Sequence, residues 1–328
     1  MKRPYTFTLN EDFKSVEAPH KQLSYPIRNA QEKNWWSPSN QISEQVFDGR
    51  FAYLYYYEYW ISESMDIPID ISMHDLHLIY PLLSEQSIYG KRTDVDFTFE
   101  LTPGKGSYFY LAKGMYNLHL PVGHHILVGI ILDAGMFRPP AIRHFDFISH
   151  LVRAKKEHAF HTDKSVDFRV GITTLKYLRI LFSRLNPNTL NNEYILLKHL
   201  IFLVELSRFK LLHGTAQDLV DQARQLLDIM IVQQGAQTHL QEIALILQTA
   251  PEYLSREHQK KYHQTLYSYR HELLLNLIEQ VIVENDKLIA TAEQTGFSGP
   301  NEMNRFIRQH TGLTASQFKQ QAEQKLKM

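Results

Sequence analysis

The chain contains no cysteine among its 328 residues, which excludes disulfides and thiolate chemistry. It also lacks an excess of charge of either sign, because 35 lysine and arginine residues balance 35 aspartate and glutamate residues. The overall charge therefore indicates neither a nucleic-acid nor a membrane partner. The N-terminal stretch MKRPYTFTLNEDFK has no apolar core of the kind found in signal peptides, so we expect a cytoplasmic protein.

Long apolar runs are missing as well. The longest helical candidate, YILLKHLIFLVEL at 194–206, is too short for a bilayer and is interrupted by Lys198, His199 and Glu205. We therefore expect no membrane partner. The sequence also lacks a nucleophile elbow, a P-loop and a dinucleotide fingerprint, so we expect neither enzymatic activity nor a cofactor.

The first 145 residues carry the pattern of short β-strands. Residues 95–101 alternate between apolar and polar side chains, which predicts a half-buried strand. Runs rich in aromatic and β-branched residues, separated by turn residues, occupy 51–59, 75–80, 107–112, 116–120 and 125–132. This spacing predicts an antiparallel sandwich or barrel.

The pattern becomes helical from residue 146 onward. Residues 166–185 and 192–212 have apolar residues at helical spacing, and Asn186-Pro187-Asn188 separates them. We expect an αα-hairpin that ends at Gly214-Thr215. The fold class is therefore α+β, with a β-rich domain at 1–145, a helical region at 146–214 and an all-α domain at 215–328.

Residues 291–312 predict a short helix, a tight turn and a second helix. Gly296 suits the left-handed residue that ends the first helix, Ser298 suits the N-cap of the second, and Pro300 suits its first turn. Asn301, Asn304, Arg305 and Arg308 then line one side of the second helix. Amide and guanidinium groups on such a face suit base edges and phosphates in the DNA major groove.

A weaker copy of this pattern lies at residues 240–263. Its second helix would begin at Pro251 and present Ser255, Arg256 and Lys260 outward. A linking helix at 267–285 would separate the two copies by roughly 28 Å. That distance suits neighbouring major-groove segments, which lie roughly 34 Å apart on one DNA face. A purely structural role for either helical pair remains an alternative.

From about residue 216 to 320 the sequence resembles the AraC/XylS family of bacterial transcription regulators. The elements that carry the resemblance occur in the family's order and spacing: Ala292, Gly296-Phe297-Ser298, Arg305, Arg308, Thr311-Gly312-Leu313-Thr314 and Ser316-Gln317-Phe318. The chain departs from the family with Ala315 in place of proline. In the first unit, Glu257 and His258 replace apolar residues and His263 replaces glycine.

The resemblance implies a sequence-specific DNA-binding regulator with two helix-turn-helix units. It implies double-stranded DNA as a partner, with Pro251, Ser255, Arg256, Lys260, Asn301, Asn304, Arg305 and Arg308 as contact residues. It also implies a cupin-like N-terminal sensor for a small effector, helices that form a homodimer, and RNA polymerase as a further candidate partner.

Two alternatives remain open at the level of the sequence. One is a metal-dependent cupin enzyme with a vestigial helical tail, because His119, His124 and His125 loosely echo the second cupin motif. We expect no metal, since a first cupin motif is not evident and neighbouring strand residues point to opposite faces. The other is a regulator without an effector, whose N-terminal half only dimerises.

Overall fold

The computed structural model describes residues 3–50, 52–132, 141–186, 189, 192–212 and 219–326. Residues 187, 188 and 213–218 lie outside this description. The predicted break at Gly214-Thr215, and that at Asn186-Pro187-Asn188 beyond its first residue, therefore fall outside the described residues. The described chain divides into two compact units, Met1–Leu212 and His213–Met328. Each unit is treated by itself below.

The N-terminal unit contains fourteen described strands and three α-helices. The strands are β1 Tyr5–Phe7, β2 Lys14–Val16, β3 Gln31–Trp36, β4 Asn40–Asp48, β5 Ala52–Ile61, β6 Met65–Ile71, β7 Asp75–Leu83, β8 Ile88–Arg92, β9 Phe97–Leu101, β10 Lys105–Leu111, β11 Gly114–Leu120, β12 Gly123–Leu132, β13 Asp163–Lys164 and β14 Phe168–Arg169. The helices are α1 Ser149–Glu157, α2 Ile172–Arg184 and α3 Asn192–Leu212, and a 3₁₀ helix spans Ala141–Ile148.

The described strands form two antiparallel sheets. The smaller has the order β1-β6-β11-β8-β9, and the larger has the order β13-β10-β7-β12-β5-β4-β3-β2, with β14 also paired to β10. Alternate residues of β5, including Tyr55, Tyr57 and Tyr59, join residues of the smaller sheet in one buried cluster. The predicted β-rich fold is confirmed as an open sandwich rather than a closed barrel.

α1 and α3 pack against the larger sheet. The Tyr108 hydroxyl of β10 lies 2.6 Å from the Ser207 hydroxyl of α3, and Lys155 of α1 donates to Asp75 of β7 at 2.9 Å. α2 and α3 pack as the predicted hairpin, with the rings of Tyr177 and Phe202 stacked 3.8 Å apart. These helices therefore belong to the same compact unit as the sandwich.

One predicted helix boundary is wrong. The helix expected from residue 166 begins only at Ile172, because Phe168 and Arg169 pair with β10 as a strand. Phe168 is buried against Tyr80 and Tyr108, so tertiary packing outweighs the local helical spacing. The second helix of the hairpin has the predicted bounds of 192–212.

The C-terminal unit is all-helical in its described part. Its helices are α4 Leu219–Gln234, α5 Leu240–Ile246, α6 Pro251–Tyr262, α7 Leu266–Glu284, α8 Leu288–Gln294, α9 Pro300–Thr311 and α10 Ala315–Leu326, with a 3₁₀ turn at Gly235–Gln237. The core of α7 consists of Leu274, Ile278 and Ile282, which recur every four residues and are fully buried. Among the described helices of the whole chain, none is long and apolar enough to cross a membrane.

Candidate nucleic-acid interface

Gly296 forms the turn between α8 and α9. Its φ of +77° is in the left-handed region, as predicted. A Cβ at this position would lie 2.1 Å from the carbonyl oxygen of Gln234, so the backbone of the preceding 3₁₀ turn approaches too closely for any side chain. Ala236 N also donates to Thr295 O at 2.9 Å. Glycine is therefore needed for both conformation and space.

The start of α9 differs from the prediction in one residue. Gly299 is the N-cap, and Pro300 is in the first turn as expected. Ser298 lies one residue too early to cap the helix. Instead, its backbone N and its hydroxyl both donate to the Glu302 carboxylate, at 2.9 and 2.7 Å. These bonds lower the pKa of Glu302 and fix the turn onto the helix.

The two sides of α9 have opposite characters. Met303 and Ile307 are fully buried, which ties the helix to the core of the unit. Asn301, Arg305 and Arg308 are exposed on the other side. The structure therefore brings three of the four predicted contact residues of α9 onto one accessible face.

Asn304, the fourth predicted contact residue of α9, is half-buried and hydrogen-bonded within the protein. Its Oδ1 accepts a hydrogen bond from the backbone N of Ala315 at 2.7 Å, the first residue of α10. Thr314 and Gln317 complete this helix start, since the Gln317 side chain accepts from Thr314 N at 2.9 Å. The amide oxygen of Asn304 is thus occupied within the protein.

The first helix pair repeats this plan in α5 and α6. Ile243 and Ala244 are buried in α5, and Leu254 is buried in α6. Ala250 is the N-cap and Pro251 occupies the first turn. Ser255 is partly exposed, whereas Arg256 and Lys260 are exposed. The predicted contact residues of this unit therefore also lie along one helix.

Two departures from the family pattern in α6 have a structural explanation. His258 is fully buried, and its Nδ1 lies 2.5 Å from the carbonyl oxygen of Gln264. Burial lowers the pKa of His258, so a neutral ring fills the apolar position. His263 ends the helix with a φ of +56°, the conformation that glycine would supply in the family.

The first unit is braced by α4. Asp221 accepts from Lys261 Nζ at 2.7 Å and from the Tyr262 hydroxyl at 2.5 Å. The guanidinium of Arg224 lies 3.8 Å from the ring centroid of Tyr269 on α7. These contacts hold α4 against α6 and α7.

The sandwich histidines have separate partners. His119 bonds Asp66 at 2.8 Å, His124 bonds Glu58 at 2.7 Å, and His125 bonds Ser84 and Pro121 O. Within the described ranges, no three histidine or acidic side chains are grouped as metal ligands. Nothing in their geometry assembles a cupin-type centre.

A small cavity of about 80 Å³ lies between the two sheets of the sandwich. Tyr55, Tyr57 and Tyr59 of the predicted aromatic run line it, while Glu58 points to the other face of the sheet. His77 also lines the cavity, with Nδ1 3.2 Å from the Tyr55 hydroxyl and no partner for Nε2 among the described residues. Burial lowers the pKa of His77 to about 4, so its ring is neutral.

Sequence reasoning missed a buried polar cluster beside this cavity. Glu44 of β4 is buried, and it accepts bonds from Arg3 and the Tyr57 hydroxyl. The oxygen of Tyr57 lies 3.0 Å from the Tyr5 hydroxyl, which donates to it. The polar sequence of β4 hid this strand from periodicity analysis. Ile42, Glu44 and Val46 share one face of this strand, so the carboxylate interrupts the apolar spacing that would have indicated it.

Comparison with known proteins identifies the C-terminal region. A family model described as a helix-turn-helix domain matches residues 243–321. These residues include both helix pairs and the linking helix α7. A sequence comparison with curated proteins gives no match.

Several solved structures show a distant likeness. A ligand-free, singly substituted form of ToxT from Vibrio cholerae has 11% identity and a TM-score of 0.30, covering 86% of this chain and 97% of that one. The C-terminal domain of AraT, a response regulator from Geobacillus stearothermophilus, has 16% identity and a TM-score of 0.29, covering 32% and 86%. The AraC-like transcriptional activator CuxR has 8% identity and a TM-score of 0.34, covering 72% and 80%.

These identities and scores are too low to transfer a role from those proteins to this chain. The identification rests instead on the matched domain, on the glycine turns at Gly296 and Gly312, and on the exposed side of α9. Residues 243–321 of the C-terminal unit therefore carry a helix-turn-helix domain.

Proposed function

We propose that the chain reads DNA mainly with the exposed side of α9. The observation that carries this proposal is the placement of Asn301, Arg305 and Arg308 on one accessible face, next to a turn fixed by close backbone contact. Arginine reads guanine through two parallel hydrogen bonds, and asparagine reads adenine in the same way. Asn304 contributes only through its amide nitrogen.

The first unit makes the second set of contacts, through Pro251, Ser255, Arg256 and Lys260 of α6. α7 has 19 residues and so spans roughly 28 Å at 1.5 Å per residue. That length suits two recognition helices in major-groove segments roughly one helical turn apart. We therefore expect an operator with two half-sites for each protomer.

Selection from random duplexes at two salt concentrations tests this function, with wild type and Arg305→Ala. We expect a reproducible motif, and we expect the variant to lose discrimination at one position by about 1–3 kcal/mol. Lys325→Ala is a matched control, because it removes one exposed cation from α10 instead of α9. Weak binding that salt abolishes, with no motif, would contradict sequence-specific reading.

The N-terminal unit is proposed to bind a compact, uncharged effector between its sheets. The cavity is apolar, and His77 offers one neutral nitrogen without a partner among the described residues. Its volume of about 80 Å³ is roughly half that of an engineered cavity that holds benzene. An effector therefore requires the sheets to separate slightly, and it shifts the dimer only if it prefers one arrangement.

The α2–α3 hairpin is proposed to mediate homodimerisation in the cytoplasm. Ile172, Tyr194 and Ile201 are large apolar side chains that are exposed on these helices, and a partner protomer could cover them. The dimer would act on DNA, with RNA polymerase as a further partner, and without catalysis of its own. Sedimentation equilibrium tests this proposal, because a homodimer has twice the mass of one chain.

A regulator without an effector is the second candidate. The small volume of the cavity favours it, since a drug-sized ligand needs several times more space. Thermal-shift measurements with small neutral aromatic and aliphatic compounds distinguish the two. Stabilisation by one class supports an effector, and no response supports a sandwich that only dimerises.

A further inference from the structure

Glu257 lies between the two cations on the accessible side of α6. Its Oε1 accepts from Lys260 Nζ at 2.8 Å and lies 3.4 Å from Arg256 Nε. The bond from Lys260 lowers the pKa of the Glu257 carboxyl, so the group is ionised at neutral pH. The three side chains form an ion-pair group along one helical turn.

The three side chains of this group differ in how much of their surface is exposed to solvent. The side chains of Arg256 and Lys260 are 67% and 65% exposed, whereas that of Glu257 is 25% exposed. A phosphate that approaches the cations therefore also approaches a carboxylate directly beneath them. In contrast, within the described part of α9 neither Arg305 nor Arg308 has a carboxylate oxygen within 4.0 Å.

The charge of the whole domain makes this arrangement consequential. Residues 215–328 contain 11 lysine and arginine residues and 13 aspartate and glutamate residues, a net charge of −2. DNA affinity depends on the number of phosphates that cations neutralise. A domain without surplus positive charge loses much of its phosphate attraction when two of its accessible cations are already paired.

We propose that Glu257 limits the DNA affinity of the first helix-turn-helix unit by competing with phosphate for Arg256 and Lys260. This role rests on the proposed function, because it requires the accessible side of α6 to meet DNA. α9, whose arginines form no ion pair within 4.0 Å among the described residues, then supplies most of the binding. Glu257 makes the first unit a conditional contact that adds to binding only at a favourable site.

The expected consequence follows from the energetics of exposed pairs. A DNA phosphate must replace the Glu257 carboxylate at both Arg256 and Lys260. The negative charge of that carboxylate also repels the phosphate. Glu257→Gln removes the charge and keeps a side chain of the same length. We expect this variant to bind a random-sequence duplex about three- to tenfold more tightly at low salt. We also expect the slope of log K against log salt to become more negative by about 1–2.

Fluorescence anisotropy of the full chain with a labelled random-sequence duplex, across a salt series, measures both quantities. Glu279→Gln is the matched control, because it also removes one negative charge and releases a lysine, Lys325, away from α6 and α9. In a third variant, Arg256→Ala and Lys260→Ala are added to Glu257→Gln. Far-UV circular dichroism confirms that each variant is folded.

The outcomes separate the role of Glu257 from the function on which it rests. Tighter binding with a steeper slope in Glu257→Gln, absent in Glu279→Gln and abolished in the third variant, supports the proposal. Binding that Glu257→Gln leaves unchanged, or that Glu279→Gln strengthens equally, overturns it. If wild type and all variants fail to bind DNA at low salt, the proposed DNA reading is itself wrong and the role of Glu257 falls with it.

Discussion

The turn at Gly296 allows a quantitative test against a second glycine of the same domain. Gly296 and Gly312 both have a φ of +77°. A Cβ at Gly296 would lie 2.1 Å from the Gln234 carbonyl oxygen, whereas a Cβ at Gly312 would have nothing within 4 Å. The two positions therefore share the same backbone strain and differ only in available space.

Alanine at either position incurs the cost of a left-handed conformation, about 1–2 kcal/mol. At Gly312 this is the whole effect. At Gly296 the new methyl group also forces the backbone of the 234–236 turn away, which adds about 1–3 kcal/mol by analogy with overpacked cores. Gly296→Ala is therefore expected to destabilise the domain by about 2–5 kcal/mol, clearly more than Gly312→Ala.

Urea denaturation of the full chain can measure this difference with two signals. All three tryptophans, Trp35, Trp36 and Trp60, lie in the N-terminal unit, so their fluorescence follows that unit. Circular dichroism at the helical band follows mainly the helical C-terminal unit. We expect Gly296→Ala to shift the circular dichroism transition and leave the tryptophan transition in place.

The outcome that refutes the reasoning is equal destabilisation by the two alanine variants. That result would mean that the close contact with Gln234 O relaxes at no cost. A shift of the tryptophan transition would instead show that the effect is not confined to the C-terminal unit.

Two further predictions concern His77 and Asn304. The pKa of buried His77 is lowered to about 4, so the unfolded chain binds the proton more readily, and stability falls as pH drops from about 6.5 toward 4. The loss approaches about 3 kcal/mol, and urea midpoints from tryptophan fluorescence should depend less on pH in His77→Asn. Asn304→Ala removes the bond to Ala315 N and should cost about 1 kcal/mol in circular dichroism melts. Asn304→Asp should retain most of that stability, and a full loss there would contradict a capping role.

Elements with strong local periodicity were predictable from the sequence. α3 has the bounds that its apolar spacing predicts, because a helix buried along most of its length needs apolar residues at every turn. The strand at 125–132 was likewise predicted. Both of its faces are buried, and such a strand accepts an unbroken run of apolar residues. The lengthening of this strand to Gly123 is within ordinary end effects.

Elements stabilised by distant partners were not predictable. β4 has a polar sequence because Glu44 is neutralised by Arg3 and bonded by Tyr57, which lie elsewhere in the chain. Residues 168–169 have helical spacing but form a strand, because β10 supplies hydrogen bonds and Phe168 fills a buried site. Periodicity reports only neighbours along the chain, so it cannot detect either effect.

The candidate site shows the same division. The sequence by itself predicted the two helix pairs and the left-handed conformation of Gly296, since these depend on backbone preferences along a few turns. Only the tertiary structure decided that the Asn304 oxygen is held by Ala315, that Gly299 caps α9, and that Glu257 occupies the cations of α6. Those outcomes depend on competition between partners for the same polar atom, and that competition is settled by three-dimensional proximity.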